Sequence, residues 1–213
     1  MNYQQAEKIK FTTPICKFKY AWLVEPDTKF DAPVFKVIAL IPAAEAAALE
    51  QQLEELLERF KLQLKTAEPN RKFKLAPPAY EYTEEEGEPV FALKMKRKAS
   101  GISKSGQPYT SSVALFDSQG KPITNTAPLS KMGAGTTGRL TFIAQPYNSP
   151  FGVGISVKVL AAQIINFVPY GGGSESHGFT PVENGWTEEE SEAEAVPFDS
   201  SAQVKDTGDF GDF

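Results

Sequence analysis

Residues 14–24, PICKFKYAWLV, alternate along the chain. Cys16, Phe18, Tyr20, Trp22 and Val24 share one parity, and Lys17 and Lys19 share the other. A period of two predicts a strand. After a loop at EPDTKFDAP, residues 34–41, VFKVIALI, are almost all apolar and rich in β-branched side chains, the pattern of a strand buried on both faces. The period then changes. Ala46, Leu49, Leu53, Leu56, Leu57, Phe60 and Leu64 recur at three- and four-residue steps, with Glu45, Glu50, Glu54, Glu55 and Glu58 between them. That spacing predicts one helix over 43–64, opened by Pro42 and stopped by Pro69.

No later segment has a helical period. Residues 69–89 hold four prolines and the run Glu84, Glu85, Glu86, and read as an irregular excursion. Residues 90–99, VFALKMKRKA, alternate again, with Phe91, Leu93 and Met95 on one side and Lys94, Lys96 and Lys98 on the other. A Gly/Ser turn at 101–108, a return strand at 109–116, a turn at 117–122, the glycine-rich 133–138, and strands at 138–147 and 154–168 follow. These residues predict a mainly β body, a small barrel or sandwich, with one helix between early strands. From Gly171 onward Ser, Glu, Gly and Asp dominate, too polar a segment to offset its ordering entropy, so a disordered tail is expected. The expected organisation is a body over 1–170 and a tail over 171–213.

Composition removes whole classes of chemistry. One Cys cannot form an internal disulfide, and with one His no zinc site of the usual kinds can be built. No metal or cofactor is expected. No apolar run reaches a membrane-spanning length, and MNYQQAEKIKF lacks the apolar core of a secretion signal. GAGTTGR at 133–139 lacks the Lys-Ser or Lys-Thr of a phosphate loop and precedes a strand pattern rather than a helix, so it reads as a loop or bulge. The body acids lie on the helix and in the EEE run, and the one His lies in the tail, so no acid–base pair or nucleophilic triad suggests itself. An enzyme is not expected.

The net charge of −5 conceals an asymmetry. Residues 1–170 carry 21 Lys and Arg against 16 Asp and Glu, while residues 171–213 carry one Lys against 11 acids. A basic body on a strongly acidic tail points to nucleic acid or another charged partner. Lys94, Lys96 and Lys98 would project from one strand face at ~6.5–7 Å intervals, close to the phosphate repeat of a single strand. Arg97 lies among them, and Lys104 follows in the adjacent turn. The same row could equally be a solvated face that protects a sheet edge from aggregation. Tyr20 and Trp22 beside Lys17 and Lys19, Tyr109 beyond the basic turn, and Tyr147 near Arg139 are the aromatics suited to stacking on bases. At the other end, DTGDFGDF places Asp209, Phe210, Asp212 and Phe213 as an apolar anchor with flanking acids, the form of a peptide ligand for a partner protein.

Together, YAWLVEPDTKF, VFKVIALIP, the helix after them and the acidic tail ending in Asp and Phe resemble the single-stranded DNA-binding proteins of tailed bacteriophages, the T7 type. The resemblance covers about residues 11–170 loosely and the tail tip more specifically. It implies an OB-fold: a five-stranded barrel with an inserted helix. It also implies binding of single-stranded DNA during phage replication and recombination, in the cytoplasm of an infected bacterial host, and a tail that contacts the replicative polymerase or other replisome proteins. The acidic run 84–86 is expected to lie outside the DNA path. The tail is expected to compete for the DNA groove until a single strand displaces it. Two rivals remain: a β-rich phage structural or assembly protein without DNA binding, and an acidic-tailed chaperone.

Overall fold

The computed structural model describes residues 7–29, 32–103 and 105–170. The elements are β1 (Ile9–Thr12), β2 (Cys16–Asp27), β3 (Val34–Pro42), α1 (Ala43–Ala67), β4 (Tyr80–Glu85), β5 (Glu88–Lys98), β6 (Ser100–Ile102), β7 (Pro108–Thr110), β8 (Ala114–Phe116), β9 (Thr137–Ser149) and β10 (Gly152–Asn166). The fold is mainly β with one long helix inserted after the second long strand.

Among the described residues, one sheet runs in the order β4-β5-β3-β2-β9-β10-β8, with β1 also paired to β9. All its ladders are antiparallel except β8 on β10. β2 pairs β9 only through Cys16 and Lys17, and β1 takes over beside β9 from Thr12 back to Ile9. β1 and β2 therefore act as one coiled strand whose first part pairs β9 and whose second part pairs β3. The five long strands stand in the order β5-β3-β2-β9-β10, as an OB-like barrel requires. The sheet has eight strands rather than five, however, and its ladder does not close. β5 and β10 meet through a side chain instead, the Arg97 guanidinium donating to the carbonyl of Val159 at 3.4 Å.

Phe18, Val37, Phe91, Leu93, Met95, Leu140, Phe142 and Val159 fill the interior from five strands. Helix α1 covers this core with Ala46, Leu49, Leu53 and Leu56, the three-and-four spacing read from the sequence. Leu53 is 2 % exposed, and Leu53→Ala would cost about 2–5 kcal/mol. The helix runs three residues past the expected end. It stops at Ala67 because Glu68 precedes Pro69 and has left the helical region, with φ −134°. Cys16 is buried, and burial pushes its thiol up to about 12, so it stays protonated and packs as a small apolar group.

Four local expectations change. The 69–89 excursion contains a strand, β4, whose Tyr80 stacks on Phe91 of β5 while Tyr82 meets the same ring edge-on, and whose acids continue into a hairpin. The turn of that hairpin is Glu86–Gly87, both with positive φ, 55° and 83°. The return strand at 109–116 is broken, because Ser111 turns the chain by donating its backbone N–H to Ala99. Its halves become β7, paired with β6, and β8, paired with β10. Strand β3 is not buried on both faces, since Val34, Lys36 and Ile38 are only half-buried. Lastly, the single parity of residues 16–24 fails at Tyr20, as described next.

Candidate nucleic-acid interface

Across the outer face of β2, β3 and β5, the register sets side chains in rows. Lys19, Ile38 and Lys94 form one row, and Trp22, Lys36 and Lys96 the next. Val34 and Lys98 follow. Directly opposed residues on neighbouring strands lie ~5 Å apart at Cβ, so each row is a contact group. Phe91, Leu93 and Met95 alternate with the lysines and point into the core, which fixes the lysine row outward.

Between Lys19 and Trp22 the register shifts, three residues of β2 spanning two of β3. This β-bulge centres on Tyr20, which has φ 52° although it is not glycine. A left-handed backbone at a bulky residue is costly and is held by its surroundings. The consequence is a change of face: Leu23, not Trp22 or Val24, becomes the buried residue. Tyr20 is left 65 % exposed and Trp22 44 % exposed. Without the bulge, period two would have continued Trp22 inward from Cys16 and Phe18.

Charge on this face is extensively partnered. Lys36 pairs with the carboxylate of Asp27, and its ammonium stands 5.9 Å from the centre of the Trp22 ring. The Lys36 bond and the backbone N–H of Lys29 hold the Asp27 carboxyl below its ordinary range. Lys17 pairs with Glu86, Lys19 with Glu85 at 2.8 Å, and Lys94 with Glu81 at 2.9 Å. Donating to Glu85 raises Lys19, and the bond accepted from Lys17 lowers Glu86. Lys96 and Lys98 have no acidic partner among the described residues. Under the hairpin a cavity of about 390 Å³ is lined by Ile15, Leu40, Pro42 and Val90, with Lys17 and Glu86 at its rim.

The fold brings together Lys17, Lys19, Trp22, Lys94, Lys96 and Lys98, with Tyr20 exposed on the bulge beside them. Arg97 faces the opposite way and spans to β10. Tyr109 lies on the β6–β7 hairpin that continues β5, its hydroxyl so close over Gly101 that a Cβ there would meet it at 2.9 Å. Arg139 is exposed on β9, two residues past Thr137, the partner of Lys17. Tyr147 is further along β9 opposite Gly154, away from the lysine rows. Lys104, Asp209, Phe210, Asp212 and Phe213 lie outside the described residues. Lys36 escaped the sequence reading, although a lone cation in an apolar strand is itself a signal that one face is open. The two tyrosines of β4 bond to the helix: Tyr82 donates to Glu50 at 2.6 Å and Tyr80 to Glu54 at 3.4 Å, tying β4 to α1.

Among the described residues, no three His, Cys, Asp or Glu gather to hold a metal ion, and no helix is long and apolar enough to cross a membrane.

No protein-family model matches the chain, and no curated protein does. Solved structures do resemble it. The crystal structure of gp2.5, a single-stranded DNA-binding protein encoded by bacteriophage T7, superposes with a TM-score of 0.65 at 20% identity, covering 85% of this chain and 99% of that one. The single-stranded DNA-binding protein of bacteriophage Enc34 gives 0.53 at 13% identity, covering 78% of this chain and 86% of the other. Its complex with single-stranded DNA gives 0.53 at 14%, covering 77% and 89%. The fold of this chain is that of the phage single-stranded DNA-binding proteins, the T7-type group its sequence resembles.

Proposed function

We propose that this chain binds single-stranded DNA without sequence preference, as a non-enzymatic phage protein acting in the host cytoplasm during replication and recombination. The observation that carries the reading is the row Trp22–Lys36–Lys96, extended by Lys98 and by Tyr20 on the bulge. Exposed aromatic rings among cations on one sheet face suit a flexible polyanion with stackable bases. Each stacked base contributes about 1–3 kcal/mol, whatever its identity. Lysines replace the counterions along the phosphates, so affinity falls with salt. The fold supports the reading, because a protein of the same fold has been captured with single-stranded DNA.

In this reading residues 1–170 are the DNA-binding body and residues 171–213 a separate regulatory tail. The tail carries 11 acids against one Lys. Tethered to the body, it competes for the basic face at an effective concentration of order mM. Once DNA occupies that face, Asp209, Phe210, Asp212 and Phe213 are released to engage a replicative polymerase or another replisome protein.

The test is a mobility shift on single- and double-stranded oligonucleotides over a salt series, with the full chain and with residues 171–213 deleted. The expected result is a preference for single strands, lost with salt, and tighter binding without the tail. Unchanged or weaker binding on deletion would remove the competing role of the tail. No retention of single strands at low salt would remove the function and favour a structural or assembly protein.

A further inference from the structure

The lysines best placed for phosphate already hold carboxylates. Glu81, Glu85 and Glu86, all from the β4–β5 hairpin, each take one lysine of the outer face: Lys94, Lys19 and Lys17 respectively. The hairpin is stiff. Its ladder is continuous from Tyr80–Leu93 to Glu85–Glu88, and its two-residue turn has the positive φ pair that matches strand twist. Tyr80 and Tyr82 anchor it on both sides, to Phe91 and to the acids of α1. The hairpin backbone thus keeps these carboxylates beside the lysines, whose flexible stems let them turn to another partner.

We propose that the β4–β5 hairpin is a built-in phosphate mimic that competes with DNA for Lys17, Lys19 and Lys94. Together with Asp27 on Lys36, it leaves Lys96 and Lys98 as the cations the resting face offers first. This inference rests on the function proposed above and adds what sets its affinity. It follows from exchange. When a phosphate takes one of these lysines, a carboxylate is freed and gathers cations from solution. That uptake offsets the counterion release that drives binding. Hairpin and DNA then trade places at low net cost, and the complex forms and dissolves readily. The acidic run 84–86 is therefore not remote from the DNA path; it borders it.

The test is the full chain carrying Glu81→Gln, Glu85→Gln and Glu86→Gln, titrated with oligothymidine over a salt series beside the unaltered chain. Three lysines freed for phosphate steepen the slope of log affinity against log salt by up to ~2, which is as much as ~100-fold tighter binding at about 0.1 M salt. Glu86→Gln alone, at the exposed turn, gives a smaller gain without disturbing the hairpin ladder. That gain disappears when Lys17 is also changed to Gln. Binding by both proteins with the same affinity and slope overturns the inference and leaves the function standing. Weaker binding by the Gln variant overturns it too, since the carboxylates would then be part of the site. Failure of both proteins to bind removes the function and the inference with it.

Discussion

Lys36 on β3 stands directly across the ladder from Trp22 on β2, its ammonium 5.9 Å from the ring centre and anchored by Asp27. One end of the pair is thus fixed by a buried carboxylate and the other is open to solvent. Lys36→Met leaves Asp27, only 4 % exposed, without its main partner, so the melting temperature falls. Adding Asp27→Asn recovers part of the loss, because no charge is then stranded. Thermal melts of the two single variants and the double check this.

Acid should find the same pair. The Asp27 carboxyl is held low in the folded chain, first by Lys36 and then by the Lys29 N–H. The stability it contributes is present above the unfolded value of about 4 and is lost as pH falls through the lower folded value. Denaturation midpoints followed from pH 6 to pH 2 should drop for the native chain and drop less for Asp27→Asn.

Tyr20 separates folding from binding. Its φ of 52° is one glycine adopts freely. Tyr20→Gly removes backbone strain of about 1–2 kcal/mol, against the entropy glycine loses on folding. The melting temperature should therefore hold or rise while affinity for oligothymidine falls by about 1–3 kcal/mol, a loss of roughly five- to 150-fold. A variant that melts early and binds normally would show the bulge serves only the fold.

Lys96, Lys98 and Arg97 are consecutive in type but not in role. Lys96→Gln and Lys98→Gln should each reduce the salt slope by about 0.7 and leave stability nearly unchanged. Arg97→Gln should lower stability, because it removes the bond to Val159 that spans β5 and β10, and should leave the slope alone. Parallel melts and salt titrations distinguish them.

Alkali tests the attachment of β4. The hydrogen bond to Glu50 and the charge beside it push the Tyr82 phenol up to about 12. Because the folded value lies above the unfolded one, the associated stability is complete below about pH 10 and is lost as pH rises towards 12. Phenolate absorbance should show this late ionisation, and Glu50→Gln should bring it forward.

The helix, the lysine row and the long strands were legible because each is a periodic pattern with one face buried. Leu53 and Leu56 announce their face by spacing, as do Leu93 and Met95 opposite Lys94 and Lys96. What escaped was whatever breaks a period. The bulge at Tyr20 shifts one residue and turns Leu23 inward in place of Trp22, with no glycine to mark the place. Strand β4 was hidden by prolines before it and acids within it, yet Tyr80 and Tyr82 already alternated. The ion pairs of Glu85 and Glu86 arise only when the hairpin folds near β2, sixty-odd residues away in the chain, whereas Glu81 pairs with Lys94 inside the hairpin itself. The missing ladder between β5 and β10 also depends on tertiary geometry that no local pattern encodes.

The most direct measurement follows the fluorescence of Trp22. Of the two tryptophans, the other is Trp186 in the tail. In a Trp186→Phe chain, titration with oligothymidine should quench Trp22 to saturation, and rising salt should restore the signal. An emission that stays unchanged through the titration at low salt would contradict a face on which bases stack.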